Sequence, residues 1–177
     1  MRIPTGSELL NSDKIIKKLD LKEGYIVADL GCGTSGHFVF PSARLVGEKG
    51  KVYAVDILKS ALSSIESRAK MQNIYNVEAL WADIEVQKGV NMPDESCDAI
   101  YLINVHAKPE MLREALRLLK KNGKLLIVDW KPDVSDFGPA SKIASEEAKT
   151  RAEELNLQLQ EEFEAGPKHW GLIYIKS

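Results

Sequence analysis

The chain has 177 residues, 44% hydrophobic and 28% charged, with a net charge of −2. That length suits one domain, residues 1–177, around a single sizeable core. The charge counts against a nucleic-acid surface built on overall positive charge, and no apolar run approaches the ~20 residues of a membrane span. The first residues lack the apolar core of a secretion signal. Two cysteines, Cys32 and Cys97, lie far apart without metal-ligand spacing, so a reduced, cytoplasmic protein without a metal is expected.

From Met1 to Lys22 an irregular piece ends near Gly6, and Ser7 is placed to cap a helix carrying Leu9, Leu10, Ile15, Ile16 and Leu19. Asn11-Ser12-Asp13 interrupts it, and a second helix restarts at Lys14. This segment is too short for a substrate domain; it is either a lid over a cofactor or a helix packed on a sheet. Tyr25-Ile26-Val27-Ala28 then reads as a buried strand. It runs through Asp29-Leu30 into Gly31-Cys32-Gly33-Thr34-Ser35-Gly36, three glycines at the spacing G-x-G-x-x-G. Glycine has no Cβ and tolerates positive φ, so a ligand approaches such a turn closely, and a following helix presents unpaired N–H groups. Gly31, Cys32, Gly33 and Gly36 are therefore candidate cofactor contacts.

Asp29 separates two kinds of cofactor. A dinucleotide loop sets a pyrophosphate over its glycines. A carboxylate beside that phosphate repels it at a cost of roughly 1 kcal/mol or more in a partly dry site. A cofactor with an ammonium and a sulfonium but no phosphate gains from the same acid, and S-adenosylmethionine is such a cofactor.

A helix from Phe38 to Val46 follows, with Pro41 in its first turn; His37 belongs to that helix start or lines an acceptor pocket. The second strand, Lys51–Ile57, ends on Asp56, suited to accept hydrogen bonds from both hydroxyls of an adenosine ribose, with Ile57 beside it. A helix from Leu58 to Met71 leads to a third strand, Val77–Ala82. There Asp83 can accept from an adenine amino group while the Ile84 N–H donates to a ring nitrogen. After a polar loop, Cys97–Ile103 forms the fourth strand, ending in Asn104-Val105-His106. Pro109 starts a helix through Lys121, Asn122-Gly123 turns the chain, and Lys124–Trp130 is the fifth strand. Lys131 to Pro139 is a loop. A helix beginning at Ser141 or Ser145 runs to Asn156, and strands Leu157–Phe163 and His169–Ile175 close an antiparallel hairpin at Ala165-Gly166-Pro167.

The D-x-G-x-G at Asp29–Gly33 resembles motif I of the class I S-adenosylmethionine-dependent methyltransferases. Met92-Pro93-Asp94-Glu95-Ser96-Cys97-Asp98-Ala99-Ile100 resembles the approach to the fourth strand in the ubiquinone- and menaquinone-biosynthesis type, with Met92 in a Leu place. The stretch Leu118–Asp129 resembles that family's turn and fifth strand, with Asn122 where Gly is frequent. The resemblance covers nearly the whole chain. It implies a Rossmann-like, doubly wound α/β sheet of seven strands, order 3-2-1-4-5-7-6 with strand 7 antiparallel, and helices on both faces. It also implies that the fourth-strand end, with Asn104, faces the methyl-donor site. His106 is then the first candidate base, because imidazole takes a proton near neutral pH, and Asp129 the second, as base or acceptor-positioning group. Trp130 shapes an acceptor pocket or packs the core. The acceptor expected is a small molecule, with a protein possible. A nicotinamide-dependent oxidoreductase or a non-catalytic cofactor-binding subunit are the alternatives.

Overall fold

The computed structural model describes residues 6–135 and 138–177. The irregular piece expected before Gly6, and Asp136 and Phe137 of the expected loop, lie outside the described residues.

Short apolar strands alternating with one-sided helices can bury their apolar surface only in layers, and these form one mixed sheet between helices. A 3-10 turn, Ser7–Leu9, precedes α1 (Ser12–Lys17), β1 (Ile26–Leu30), α2 (Val39–Val46), β2 (Lys51–Asp56), α3 (Lys59–Met71) and β3 (Val77–Trp81). Then come β4 (Cys97–Ile103), α4 (Pro109–Leu118), β5 (Leu119–Trp130), α5 (Ser145–Glu153), β6 (Gln158–Gly166) and β7 (His169–Ile175). The strand order is β3-β2-β1-β4-β5-β7-β6. The first five strands pair in parallel, and β7 is antiparallel to both β5 and β6. Strand order reverses between β1 and β4, and that switch opens a crevice at their carboxyl ends.

Residues alternate between the two faces of each central strand. Val27, Tyr101, Leu126 and Val128 join Ile16 of α1, Val39 and Ala43 of α2 and Ile65 of α3 in one core. Ala28, Leu30, Ile100 and Ile127 join Leu112 and Ala115 of α4 and Ala148 of α5 in the other. Both faces are covered, which explains why the parallel strands read as continuous apolar runs.

Several boundaries differ from expectation. Ser7 caps nothing; the side chain of Asn11 accepts from the Lys14 N–H at 3.0 Å, so α1 starts at Ser12 instead of restarting at Lys14. Helix α4 stops at Leu118, not Lys121. Leu119 is fully buried and pairs with Cys97 in extended form, while the chain from Lys120 to Gly123 bulges before Lys124 pairs with Ala99. Lys120 and Lys121 therefore belong to the strand, and Lys120 reaches the Asp98 carboxylate at 2.8 Å. Helix α5 ends at Glu153, and β6 runs on through Ala165 and Gly166, which leaves Pro167-Lys168 as the hairpin turn. Helix α2 begins at Val39, so His37 stands before the helix.

Candidate active site

The strand ends carry the polar groups. Asp29, next to last in β1, is 3% exposed, and its carboxylate has no hydrogen-bond partner among the described residues. Burial, with Asp56 nearby, pushes its pKa from 3.8 up to about 7. Such an isolated buried acid costs stability unless a cation meets it.

The glycine turn is organised differently from expectation. The N–H groups of Gly31 and Cys32 both donate to the Val55 carbonyl, at 2.8 and 3.1 Å, and the Gly33 N–H donates to the Asp56 carboxylate at 2.9 Å. Three loop amides are thus spent on β2, and helix α2 begins only after Phe38, so its N-terminus does not follow the glycines directly. The other Asp56 oxygen accepts from the Leu58 N–H at 2.9 Å. Asp56 therefore ties the turn to its own strand end and keeps further lone pairs for a ligand.

The three glycines also divide by role. All have positive φ: +86° at Gly31, +64° at Gly33 and +58° at Gly36. A Cβ at Gly31 would lie 2.6 Å from Val105, and one at Gly36 2.6 Å from Phe40 and 2.7 Å from Ile65. At Gly33 nothing lies within 4 Å of that position. Gly31 and Gly36 give close protein packing, and Gly33 alone leaves an open approach to its backbone. The buried Cys32 thiol is pushed up by burial and by Asp29 and Asp56, and stays protonated.

A cavity of about 250 Å³ lies at the carboxyl ends of β1, β2 and β3. Gly31, Asp56, Ile57, Asp83, Ile84 and Met111 are among the residues that line it. Asp83 accepts from the Glu85 N–H at 2.9 Å through one oxygen, leaving the other available. Ile57 is half exposed at the rim, and its carbonyl accepts from the Trp81 indole N–H at 2.8 Å.

Across the switch, the end of β4 is strained. Asn104, His106 and Ala107 all have positive φ, at 58°, 64° and 32°. Non-glycine residues in that region cost about 1–3 kcal/mol each and persist where surrounding contacts hold them. Here the Asn104 N–H donates to the Val128 carbonyl at 2.8 Å and the His106 N–H to Asp129 at 2.8 Å, and the Arg151 guanidinium donates to the carbonyls of His106 and Ala107. Asp129 is 1% exposed, and its second oxygen accepts from the Trp130 N–H at 2.8 Å. Burial raises its pKa against those hydrogen bonds. With both oxygens accepting backbone hydrogen bonds, Asp129 braces the His106 turn. Both polar atoms of the Asn104 side chain are buried without a partner. The His37 Nε2 lies 2.7 Å from the Leu10 carbonyl oxygen.

Val105 and Met111 had no marker in the sequence. Each meets the crevice only because β4 lies beside β1, a neighbour distant along the chain.

An open α/β sheet with acids at its strand ends and a cavity at its switch defines a nucleoside-cofactor domain. Residues 21–173 match the model of the methyltransferase domain family, and the chain belongs to that family. The ubiquinone/menaquinone biosynthesis C-methyltransferase UbiE of Cronobacter sakazakii is 37% identical over 129 residues, covering 69% of this chain and 48% of the relative. The chain spans about half the length of the curated relatives it matches. A SAM-dependent methyltransferase from Aquifex aeolicus has a TM-score of 0.87 and 27% identity, covering 99% of this chain and 94% of that one. The [4+2]-cyclase SpnF has a TM-score of 0.78 at 16% identity, covering 93% of this chain and 79% of that one, a likeness of fold alone. The strand order implied by the class I methyltransferase resemblance is the order found.

Proposed function

We propose that the chain transfers a methyl group from S-adenosylmethionine to a small-molecule acceptor in the cytoplasm. The carrying observation is the cavity that gathers Gly31, Asp56, Ile57, Asp83 and Ile84, with the unpartnered carboxylate of Asp29 buried in the adjoining strand end. The chemistry of that set fits the cofactor. Asp56 suits the ribose hydroxyls, Asp83 the adenine amino group, the Ile84 N–H a ring nitrogen, and Ile57 and Ile84 an aromatic face. Gly33 leaves its backbone open to close approach, and Asp29 offers an anion to a cationic donor. The Aquifex aeolicus protein is a SAM-dependent methyltransferase, and the UbiE relatives are C-methyltransferases of ubiquinone and menaquinone biosynthesis, which supports a small-molecule acceptor. Two buried, free cysteines and the lack of any helix, among the described residues, long and apolar enough to cross a membrane suit the cytoplasmic reading.

The cofactor supplies a methyl carbon already activated by its sulfonium. The protein's part is to align the acceptor and exclude water. Where the acceptor carries a proton that must leave, His106 is the residue to take it, and Asp129 acts through it as a positioning residue. The experiment is calorimetry of S-adenosylmethionine and S-adenosylhomocysteine binding, with NAD⁺ as control. We expect saturable binding of the first two only; NAD⁺ binding without either would overturn the proposal.

Asp56→Ala is expected to weaken S-adenosylhomocysteine binding by about 1–3 kcal/mol, because it removes acceptors for the ligand and for the Gly33 N–H together. An unchanged affinity in the folded variant would remove Asp56 from the site. His106→Asn keeps a residue tolerant of positive φ. It is expected to slow methyl-tritium transfer into a small-molecule extract by about 10²–10⁴-fold while leaving cofactor affinity alone. Unaltered turnover would show that His106 is not the base.

A further inference from the structure

The two edges of the sheet are finished differently. At one edge β6 carries Glu161, Glu162 and Glu164, and its ladder with β7 breaks register twice. Charges and bulges of this kind keep an edge from pairing with another chain. At the other edge β3 is regular and reads Val77-Glu78-Ala79-Leu80-Trp81. Its one charge, Glu78, is paired at home with Lys51 of β2 at 2.9 Å. Among the described residues no strand pairs with the outer side of β3. Its hydrogen bonds decide which groups face out. The Val52 N–H donates to the Asn76 carbonyl at 2.8 Å, and the Ala82 N–H to the Asp56 carbonyl at 3.2 Å. Alternate residues of a ladder serve one neighbour, so the even-numbered residues turn to β2, and Val77, Ala79 and Trp81 turn their amides and carbonyls outward.

The same strand has a knob at one end and a hole at the other. Side chains alternate along a strand, so Trp81 stands on the face of Val77 and Ala79, which is the α3 face. Trp81 is 57% exposed. At the amino end of β3, away from the cofactor crevice, lies a cavity of about 530 Å³. Ala43, Arg44, Lys51, Ile74, Tyr75 and Asn76 are among the residues that line it, and Ala43 and Ile74 pack on that same face of the sheet. Tyr75 at its mouth is 83% exposed, and Met71 at the end of α3 is 81% exposed.

We infer that the outer side of β3 pairs antiparallel with β3 of a second copy of this chain, about a two-fold axis at Ala79, with each Trp81 entering the other copy's cavity beside Tyr75. The register follows from the outward groups. Centring on Ala79 sets Ala79 opposite Ala79 and Val77 opposite Trp81 twice, each pair exchanging both of its hydrogen bonds. Centring on Glu78 sets two like charges face to face, and centring on Leu80 sets Val77 opposite Asp83, beyond the strand. With Ala79 central, Glu78 meets Leu80. A two-fold contact has to be self-complementary, and antiparallel pairing carries the carboxyl end of one strand to the amino end of the other, so knob meets hole twice. The exposed parts of two Trp81 and two Tyr75 side chains come to on the order of 600 Å², half of the ~1,200 Å² that specific interfaces bury at the low end. The paired backbones and Met71 add to it. The contact uses none of the cofactor-cavity acids and is independent of the methyl-transfer reading.

Sedimentation equilibrium of the full chain at about 10–100 μM is expected to give twice the chain mass. Trp81→Glu puts a charge in place of the knob. Ala79→Pro removes the central outward N–H, which takes no part in the ladder with β2. Each should weaken self-association about 100-fold or more while the far-UV circular dichroism stays that of the wild type. Leu159→Glu, on the opposite edge strand, should leave association unchanged. Amide exchange followed by NMR locates the contact. The Val77, Ala79 and Trp81 amides should be protected in the dimer and exchange faster on dilution and in Trp81→Glu, while those of Glu78 and Leu80, bonded to β2, stay protected throughout. Should Ala79→Pro fail to fold, Trp81→Glu and the exchange pattern decide. A wild-type monomer over the whole concentration range, a dimer indifferent to Trp81→Glu, or outward amides that exchange freely in the dimer would overturn the inference. A monomer whose outward amides become protected only in cell extract would give the edge to a foreign strand and overturn the second copy as its occupant.

Discussion

Asp29→Asn is expected to stabilise the unliganded protein above pH 7 and to abolish most of its affinity for S-adenosylmethionine. In the folded chain Asp29 is buried beside Asp56 and holds its proton to about pH 7, whereas its ordinary value is 3.8. Between those values the folded state binds the proton and the unfolded state does not. Stability from this group therefore falls as pH rises from about 4 to 7, and the penalty is complete above 7, on the order of 4 kcal/mol. Asparagine removes the charge and keeps the shape. The wild-type and variant unfolding free energies should converge below about pH 4 and separate toward pH 8, with the variant higher. The same penalty is the reserve that a cationic donor relieves. Wild-type binding should strengthen from pH 6 to 8 and release protons, seen as a dependence of the calorimetric heat on buffer ionisation. Parallel stability curves, or proton-independent binding, would remove Asp29 from the role of counter-ion.

The second large effect lies away from the crevice. Glu114 on α4 is 2% exposed and accepts from the backbone N–H groups of Lys88 and Val90, at 2.9 and 3.1 Å. Arg117, one turn on, pairs with it at 2.6 Å and also donates to the carbonyls of Met92 and Val90. Burial works against the Glu114 charge, but the Arg117 and backbone hydrogen bonds outweigh it and lower its pKa. This pair closes the 85–96 loop onto α4. The loop begins at the Asp83–Ile84 pair, and Gly89 packs so tightly that a Cβ there would sit 2.2 Å from the Asp83 carbonyl oxygen. Glu114→Ala leaves the buried Val90 amide, the part-buried Lys88 amide and a guanidinium without this acceptor, a loss of about 3–5 kcal/mol. Urea unfolding should show a lower midpoint, and S-adenosylhomocysteine affinity should fall although Glu114 does not line the cavity. Because its folded pKa is lowered, the contribution is present above the ordinary Glu value and fades as pH falls through the folded one. A midpoint within experimental scatter of wild type would show that the loop is held otherwise.

Glu114 had no mark in the sequence; it sits in an amphipathic helix where a glutamate is ordinarily solvated. The carboxylates of the crevice were different. Asp29, Asp56 and Asp83 each follow an apolar run, and period and spacing alone put them at strand ends. The error at Lys120-Lys121 has a physical reason too. Lysines after a helical apolar pattern read as a last turn, but a fully buried Leu119 had a strand partner in Cys97 that only the assembled sheet supplies.

Local pattern thus determined the succession of strands and helices, the glycine turn and the acids beside it. These depend on backbone preference and on which side of a strand or helix is apolar, and both act over a few residues. Tertiary structure decided what those groups face. The Gly33 amide turns to Asp56, 23 residues on, and Asp129 to the His106 amide, 23 residues back. Asn104 and His169 are left with unpartnered polar atoms among the described residues. Hydrogen-bond direction and burial are set by neighbours across the sheet, and those neighbours exist only once the strands are laid side by side.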